Sequence, residues 1–160
     1  HRQYYSMVKG SASAGVTVMV HRKFADMGLV EVQPTHPALE GYVRRLEINM
    51  PASTPLEVIG VYMPSGQPGD GKIRKEIYKT VQTALDQQQA QEGTHTVIVA
   101  GDFNATLYDS DITTGKCKEI DRRHRQWVQQ LQLTPLDPKQ GDRPRALTWR
   151  SGADQQPLLG

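Results

Sequence analysis

Val97-Ile98-Val99-Ala100-Gly101-Asp102-Phe103-Asn104 is the most informative segment of the chain. Four small apolar residues run into Gly-Asp, and an Asn follows two positions later. The run is too short for a helix and suits a strand buried on both faces. Gly101 lets the chain turn sharply where that strand ends. Asp102 and Asn104 then fall just past the C-terminal end of the strand, where open α/β sheets hold their ligands. An anionic acceptor beside a neutral amide suits the handling of a water, a metal or a phosphate. The same residues also fit an Asx-type turn with no chemical role, because Asp and Asn both favour turns.

Towards the N-terminus, Gly15 to Val20 alternates Val16, Val18 and Val20 and predicts a strand. Residues 24–41 mix Gly, Pro and polar residues and read as a connection. Strands are expected at Tyr42–Ile48 and Leu56–Tyr62, joined as a hairpin through the turn that Pro51 and Pro55 bracket. After a loop rich in Gly and Pro, the spacing of Ile73, Ile77, Val81, Ala84 and Leu85 predicts a helix from about Lys72 to Gln91. Asp70 is its expected N-cap, and Gly93 lies just past its end. A polar loop over Thr106–Gly115 leads to a second helix, about Glu119 to Leu131, with Ile120, Trp127, Val128 and Leu131 facing the core. Ala146–Arg150 reads as a last strand. The order of strands, helix, strand, helix and strand predicts an α/β fold: a mixed sheet with helices outside it. The whole chain, residues 1–160, reads as part of one domain.

The bulk properties fit a globular domain, with 37% hydrophobic and 22% charged residues among 160. No apolar run approaches the roughly 20 residues needed to span a bilayer, so no membrane partner is expected. The single cysteine, Cys117, excludes an internal disulfide or a Cys-based zinc cluster, and reads as an inert thiol. The net charge of +2 is small, but its distribution is uneven. Lys116–Arg125 and Lys139–Arg150 each carry a local +3, which suits a phosphate backbone and equally suits solvated surface. The chain starts at His1 without Met and stops at Leu158-Leu159-Gly160, so both ends read as cuts in a longer chain.

Gly66-Gln67-Pro68-Gly69-Asp70-Gly71-Lys72 matches G-x-x-x-x-G-K between a strand and a helix, the context of a nucleotide-binding P-loop. The residue after Lys72 is Ile73 rather than Ser or Thr, which removes the magnesium-binding hydroxyl. Pro68 has no N–H to offer a phosphate. A P-loop-like nucleotide binder therefore stays the alternative from another functional class.

Two stretches in order, Val58-Ile59-Gly60-Val61-Tyr62-Met63-Pro64 and Gly101-Asp102-Phe103-Asn104, resemble the endonuclease/exonuclease/phosphatase superfamily. Its members include DNase-I-like nucleases, apurinic/apyrimidinic endonucleases, and inositol-polyphosphate and sphingomyelin phosphodiesterases. The resemblance extends to Ser11–Val20, to Leu133–Asp137, and to Leu147-Thr148-Trp149. The spacing is most similar to the endonuclease domains of non-LTR retrotransposons. The resemblance implies a DNase-I-like four-layer sandwich, two packed mixed β-sheets flanked by helices, incomplete at both ends. It implies hydrolysis of a phosphodiester by an activated water with Mg2+, or Mn2+ in its place. DNA nicking is the leading activity, in an intracellular, nuclear protein fused to a reverse transcriptase.

Carried over by position, Asp102 would orient or deprotonate the attacking water. Asn104 would hold the site's network and help position the phosphate, and Tyr62 would donate its hydroxyl to a phosphate oxygen. Arg122, Arg123, Thr148 and Trp149 are candidates for substrate binding, while Asp109 and Asp111 read as turn residues near the site. Many members carry Asn two residues before the Tyr, where this chain has Gly60. The family's metal-binding Glu is expected before His1, and its catalytic His after Gly160, so no metal ligand is assigned and the piece alone is expected to be inactive. His21, His36, His95 and His124 read as surface or capping residues. A phosphatase or lipid phosphodiesterase of the same superfamily, or a non-catalytic relic, are the remaining alternatives.

Overall fold

In the computed structural model, which describes residues 1–7, 15–65, 69–90, 96–107 and 118–134, the apolar run before Asp102 is a strand. It is the last of the six described: β1 (Arg2–Met7), β2 (Gly15–Val20), β3 (Val30–Gln33), β4 (Val43–Ile48), β5 (Leu56–Tyr62) and β6 (Thr96–Asp102). β1 and β2 form an antiparallel pair. The other four make one sheet in the order β3-β4-β5-β6, antiparallel except for the parallel β5–β6 pair. Helix α1 (Arg22–Asp26) is short, and α2 (Asp70–Ala90) and α3 (Glu119–Gln130) are the long ones. The class is α/β, with two sheets and helices.

Side-chain alternation divides the larger sheet into two working faces. One carries Val43, Ile59 and Val61, which join Leu39, Met63, Ile77, Val81, Ala84 and Trp127 in the buried core under α2 and α3. The Ile77, Val81 and Ala84 spacing is the apolar stripe that drives α2 onto the sheet. The other face carries Leu46, fully buried, and Gly60, and meets the β1–β2 pair. A Cβ on Gly60 would stand 2.8 Å from Val16 Cγ1 and 2.9 Å from Val18 Cγ2, so the glycine lets the two sheets approach. An Asn at that position has no room here.

Several expectations need correction. Residues 24–41 are not a plain connection: they hold most of α1, all of β3 and a 3-10 turn at Pro37–Leu39. Elements of three to five residues are too short to display a period. β1 has no counterpart in the sequence pattern, because Arg2–Met7 has little apolar alternation. β6 is not buried on both faces. Among the described residues it is the sheet's edge, with Val97, Ile98 and Val99 half-buried and Ala100 exposed. Asp70 is the first helical residue of α2 rather than the residue before it. The β4–β5 hairpin, β2, α2 and α3 lie where the sequence predicts them, within two residues at each end. The Ala146–Arg150 strand, Gly93 and the Gly66–Pro68 part of the P-loop-like match lie outside the described residues. No helix among the described residues is long and apolar enough to cross a membrane.

Candidate functional site

At the ends of β5 and β6 the parallel register sets Tyr62 directly beside Asp102. Paired residues share a face, so both side chains lie on the side that meets the β1–β2 pair. Gly101 makes this closeness possible. Its φ is +146°, and a Cβ there would stand 1.9 Å from the Val61 carbonyl oxygen.

Past Asp102 the chain folds back on itself. The Asn104 backbone N–H donates to Asp102 Oδ1 at 2.9 Å, the hydrogen bond of an Asx turn. Asn104 has φ +44°, which Asn tolerates better than most residues. Its side-chain Nδ2 donates to the Met63 carbonyl at 2.7 Å, and the Met63 N–H donates to the Asp102 carbonyl at 2.7 Å. The two strand ends are thus tied by main chain and by the Asn104 amide. The Asx turn engages one carboxylate oxygen of exposed Asp102; Oδ2 and the Tyr62 hydroxyl have no hydrogen-bond partner among the described residues. Tyr42 stacks on Tyr62 with ring centroids 6.2 Å apart, which steadies the phenol.

Behind this edge sits Arg74, 6% exposed, a cation on the apolar stripe of α2. Its guanidinium donates to Pro64 O at 2.6 Å, Phe103 O at 3.2 Å and Tyr78 Oη at 3.3 Å. It therefore clamps the loop after β5 to the loop after β6. A search for apolar spacing skips charges, so Arg74 is not among the residues singled out from the sequence. Its position three residues before Ile77 on that stripe is the signal that points to it.

His124 corrects another expectation. It is not a surface or capping residue but 4% exposed, ringed by Phe103, Trp127 and Tyr78 with centroids 4.9, 5.5 and 6.5 Å away. Burial, and then the Arg74 charge, push its pKa down to about 4 against a smaller opposing pull from Asp121. Asp121, also buried, accepts from the N–H groups of Thr106 at 2.8 Å and Lys118 at 2.9 Å. Burial would raise its carboxyl pKa, but those bonds and Arg125 outweigh it and hold the group below its ordinary value. This carboxylate fastens the start of α3 to the loop after Asn104. By contrast, His21 and His36 do cap: their Nδ1 atoms accept from Lys23 N and Ala38 N, each at 3.2 Å.

Tyr62, Asp102 and Asn104 are therefore brought together. Arg122 and Arg123 lie exposed on α3, paired with Glu119 at 3.1 and 2.9 Å, which offsets part of the local positive charge. Thr148, Trp149, Asp109, Asp111, His95, Cys117 and the Lys139–Arg150 segment lie outside the described residues. Among the described residues no three His, Cys, Asp or Glu side chains cluster as a metal site. Magnesium commonly binds through one or two carboxylates with waters and substrate phosphates. Asp102 fits one such position and is not a complete donor set.

No known family model matches this chain, and no curated protein sequence matches it.

Proposed function

We propose that this chain carries part of the active site of a magnesium-dependent phosphodiesterase of the endonuclease/exonuclease/phosphatase superfamily, acting on DNA as a nicking endonuclease of the retrotransposon type. One observation carries the reading: a phenol, a carboxylate and an amide converge on two adjacent strand ends, tied by the 2.7 Å bond from Asn104 to Met63 O. Asp102 accepts a proton from the attacking water or orients it, and Tyr62 donates to a phosphate oxygen as charge develops. Asn104 holds both strand ends at a fixed separation. A bound Mg2+ or Mn2+ would polarise the phosphoryl group. The meeting of the two sheets at Gly60, with α2 and α3 on the far face, is what supports a DNase-I-like sandwich. On this reading the whole protein is nuclear and joins the domain to a reverse transcriptase.

The test is nicking of supercoiled plasmid by the protein that carries this chain, with magnesium. Activity is expected to vanish with EDTA and to fall by about 10²–10⁴-fold in Asp102→Ala, the range of a lost general base. Nicking by Asp102→Ala at the parent rate overturns the assignment. Hydrolysis of a phosphoinositide without nicking replaces DNA with a lipid or small phosphoester as substrate. Salt-sensitive DNA binding without turnover means a non-catalytic relic.

A further inference from the structure

Arg44 is the second residue of β4, directly opposite Gly60 in the antiparallel register. It thus shares the face of Gly60 and Tyr62. The next residue, Arg45, is neutralised by Glu57 at 2.6 Å, but Arg44 has no ion-pair partner among the described residues. Its Nε is buried and has no hydrogen-bond acceptor among them. Arg44 as a whole is half-buried, and a buried donor such as its Nε without an acceptor is uncommon.

Arg44 lines an open cavity of about 530 Å³ between β1, β4 and the segment after β3. Thr35 lines the same cavity, and its Oγ1 is likewise buried without a partner. Ser6, a third lining residue, accepts from Gly41 N through Oγ at 2.7 Å and keeps its O–H to donate. The side chains of Arg44, Thr35 and Ser6 line one space, with Arg44 Nε and Thr35 Oγ1 just beneath its wall, and together they carry a planar cation and two hydroxyls, donors suited to the oxygens of a tetrahedral anion. One exposed carboxylate, Glu40, also lines the cavity and opposes an anion there.

The cavity lies against the start of β4, at the end of the sheet that carries Tyr62. Across the β4–β5 pair, Arg44 and Tyr62 are diagonal neighbours, a separation of roughly 7–8 Å. That distance is on the order of one phosphate-to-phosphate step along a strand, which exceeds the axial rise of about 3.4 Å per nucleotide because the backbone winds around the axis. We propose that Arg44, Thr35 and Ser6 form a phosphate-binding pocket that holds a backbone phosphate flanking the one at Tyr62 and Asp102. This deepens, and rests on, the phosphodiesterase reading: it makes a nucleic-acid strand the substrate, in place of an isolated phosphoester.

The first experiment titrates inorganic phosphate into the chain at constant ionic strength and follows the Arg44 Nε–H resonance. A saturable shift is expected. Arg44→Gln is expected to weaken phosphate binding at least tenfold, Arg44→Lys to weaken it less, and Glu40→Gln to strengthen it. An Arg44 resonance that phosphate leaves unmoved overturns the pocket without any variant. So does Arg44→Gln that melts as the parent does and binds phosphate equally well. In the active protein, Arg44→Gln should raise KM for an oligonucleotide at least tenfold, and by far more than it raises KM for a single-nucleotide aryl phosphodiester. Phosphate bound at Arg44 by a protein that never nicks DNA sinks the catalytic reading and keeps the pocket. Nicking with an unaltered oligonucleotide KM in Arg44→Gln does the reverse.

Discussion

Replacing Gly101 by Ala tests the geometry that brings Asp102 to Tyr62. The new Cβ would lie 1.9 Å from Val61 O and 2.8 Å from Val61 C, both backbone atoms of the adjoining strand. Carbon and oxygen normally approach no closer than about 3.3 Å, so β6 must retreat by more than ~1 Å or lose its pairing. Holding a non-glycine residue at φ +146° adds about 1–3 kcal/mol of backbone strain. Forcing a methyl into filled space adds about 1–3 kcal/mol more. A loss near 4 kcal/mol corresponds to a Tm lowered by roughly 8–16 °C in a chain of this size. Gly28→Ala is the control. Gly28 has φ +70°, but nothing lies within 4 Å of its Cβ position, so only strain is added. Its cost should be about 1 kcal/mol, a drop of roughly 2–4 °C. Circular dichroism melts at pH 7 measure both, and the Asn104 side-chain amide resonance reports whether its bond to Met63 survives. If Gly101→Ala melts with Gly28→Ala and leaves that amide signal in place, the tight approach of β5 and β6 is wrong.

The buried polar groups behind the site set two further outcomes. His124 has a folded pKa pushed down to about 4, below its ordinary 6.5, so the unfolded chain binds more protons between those values. Stability is therefore fully present above about pH 6.5 and falls as pH drops towards 4, by about 3 kcal/mol at most. Urea midpoints at pH 7 and pH 5 should show this decline, and His124→Phe should flatten it; an equally steep decline in His124→Phe assigns it elsewhere. Arg74→Met keeps the aliphatic stem but releases Pro64 O and Phe103 O from a charged donor, at an expected cost of about 2–4 kcal/mol in urea unfolding. The same change should raise the His124 pKa in an imidazole NMR titration, since the Arg74 charge holds it down, and an unmoved titration refutes that coupling.

Local pattern was enough to read β2, the β4–β5 hairpin, α2, α3 and the turn after β6. Each of these is marked by apolar spacing or by turn residues that are neighbours along the chain. Tyr62, Asp102 and Asn104 were singled out by the resemblance that two short strand-end motifs bear to one family, and only the β5–β6 register set Tyr62 beside Asp102. The elements between β2 and β4 were not legible, because five residues of α1 and four of β3 are too few to display a period. β3 exists as a strand only through its pairing with β4. Tertiary structure alone decided that His124 is buried and that Arg74 joins two loops. It alone brought Arg44 to Thr35, and turned Gly60 into the contact between sheets. Period and turn chemistry belong to neighbours along the chain, whereas burial, pKa and the pairing of a charge depend on residues that meet only after the sheets and helices have packed.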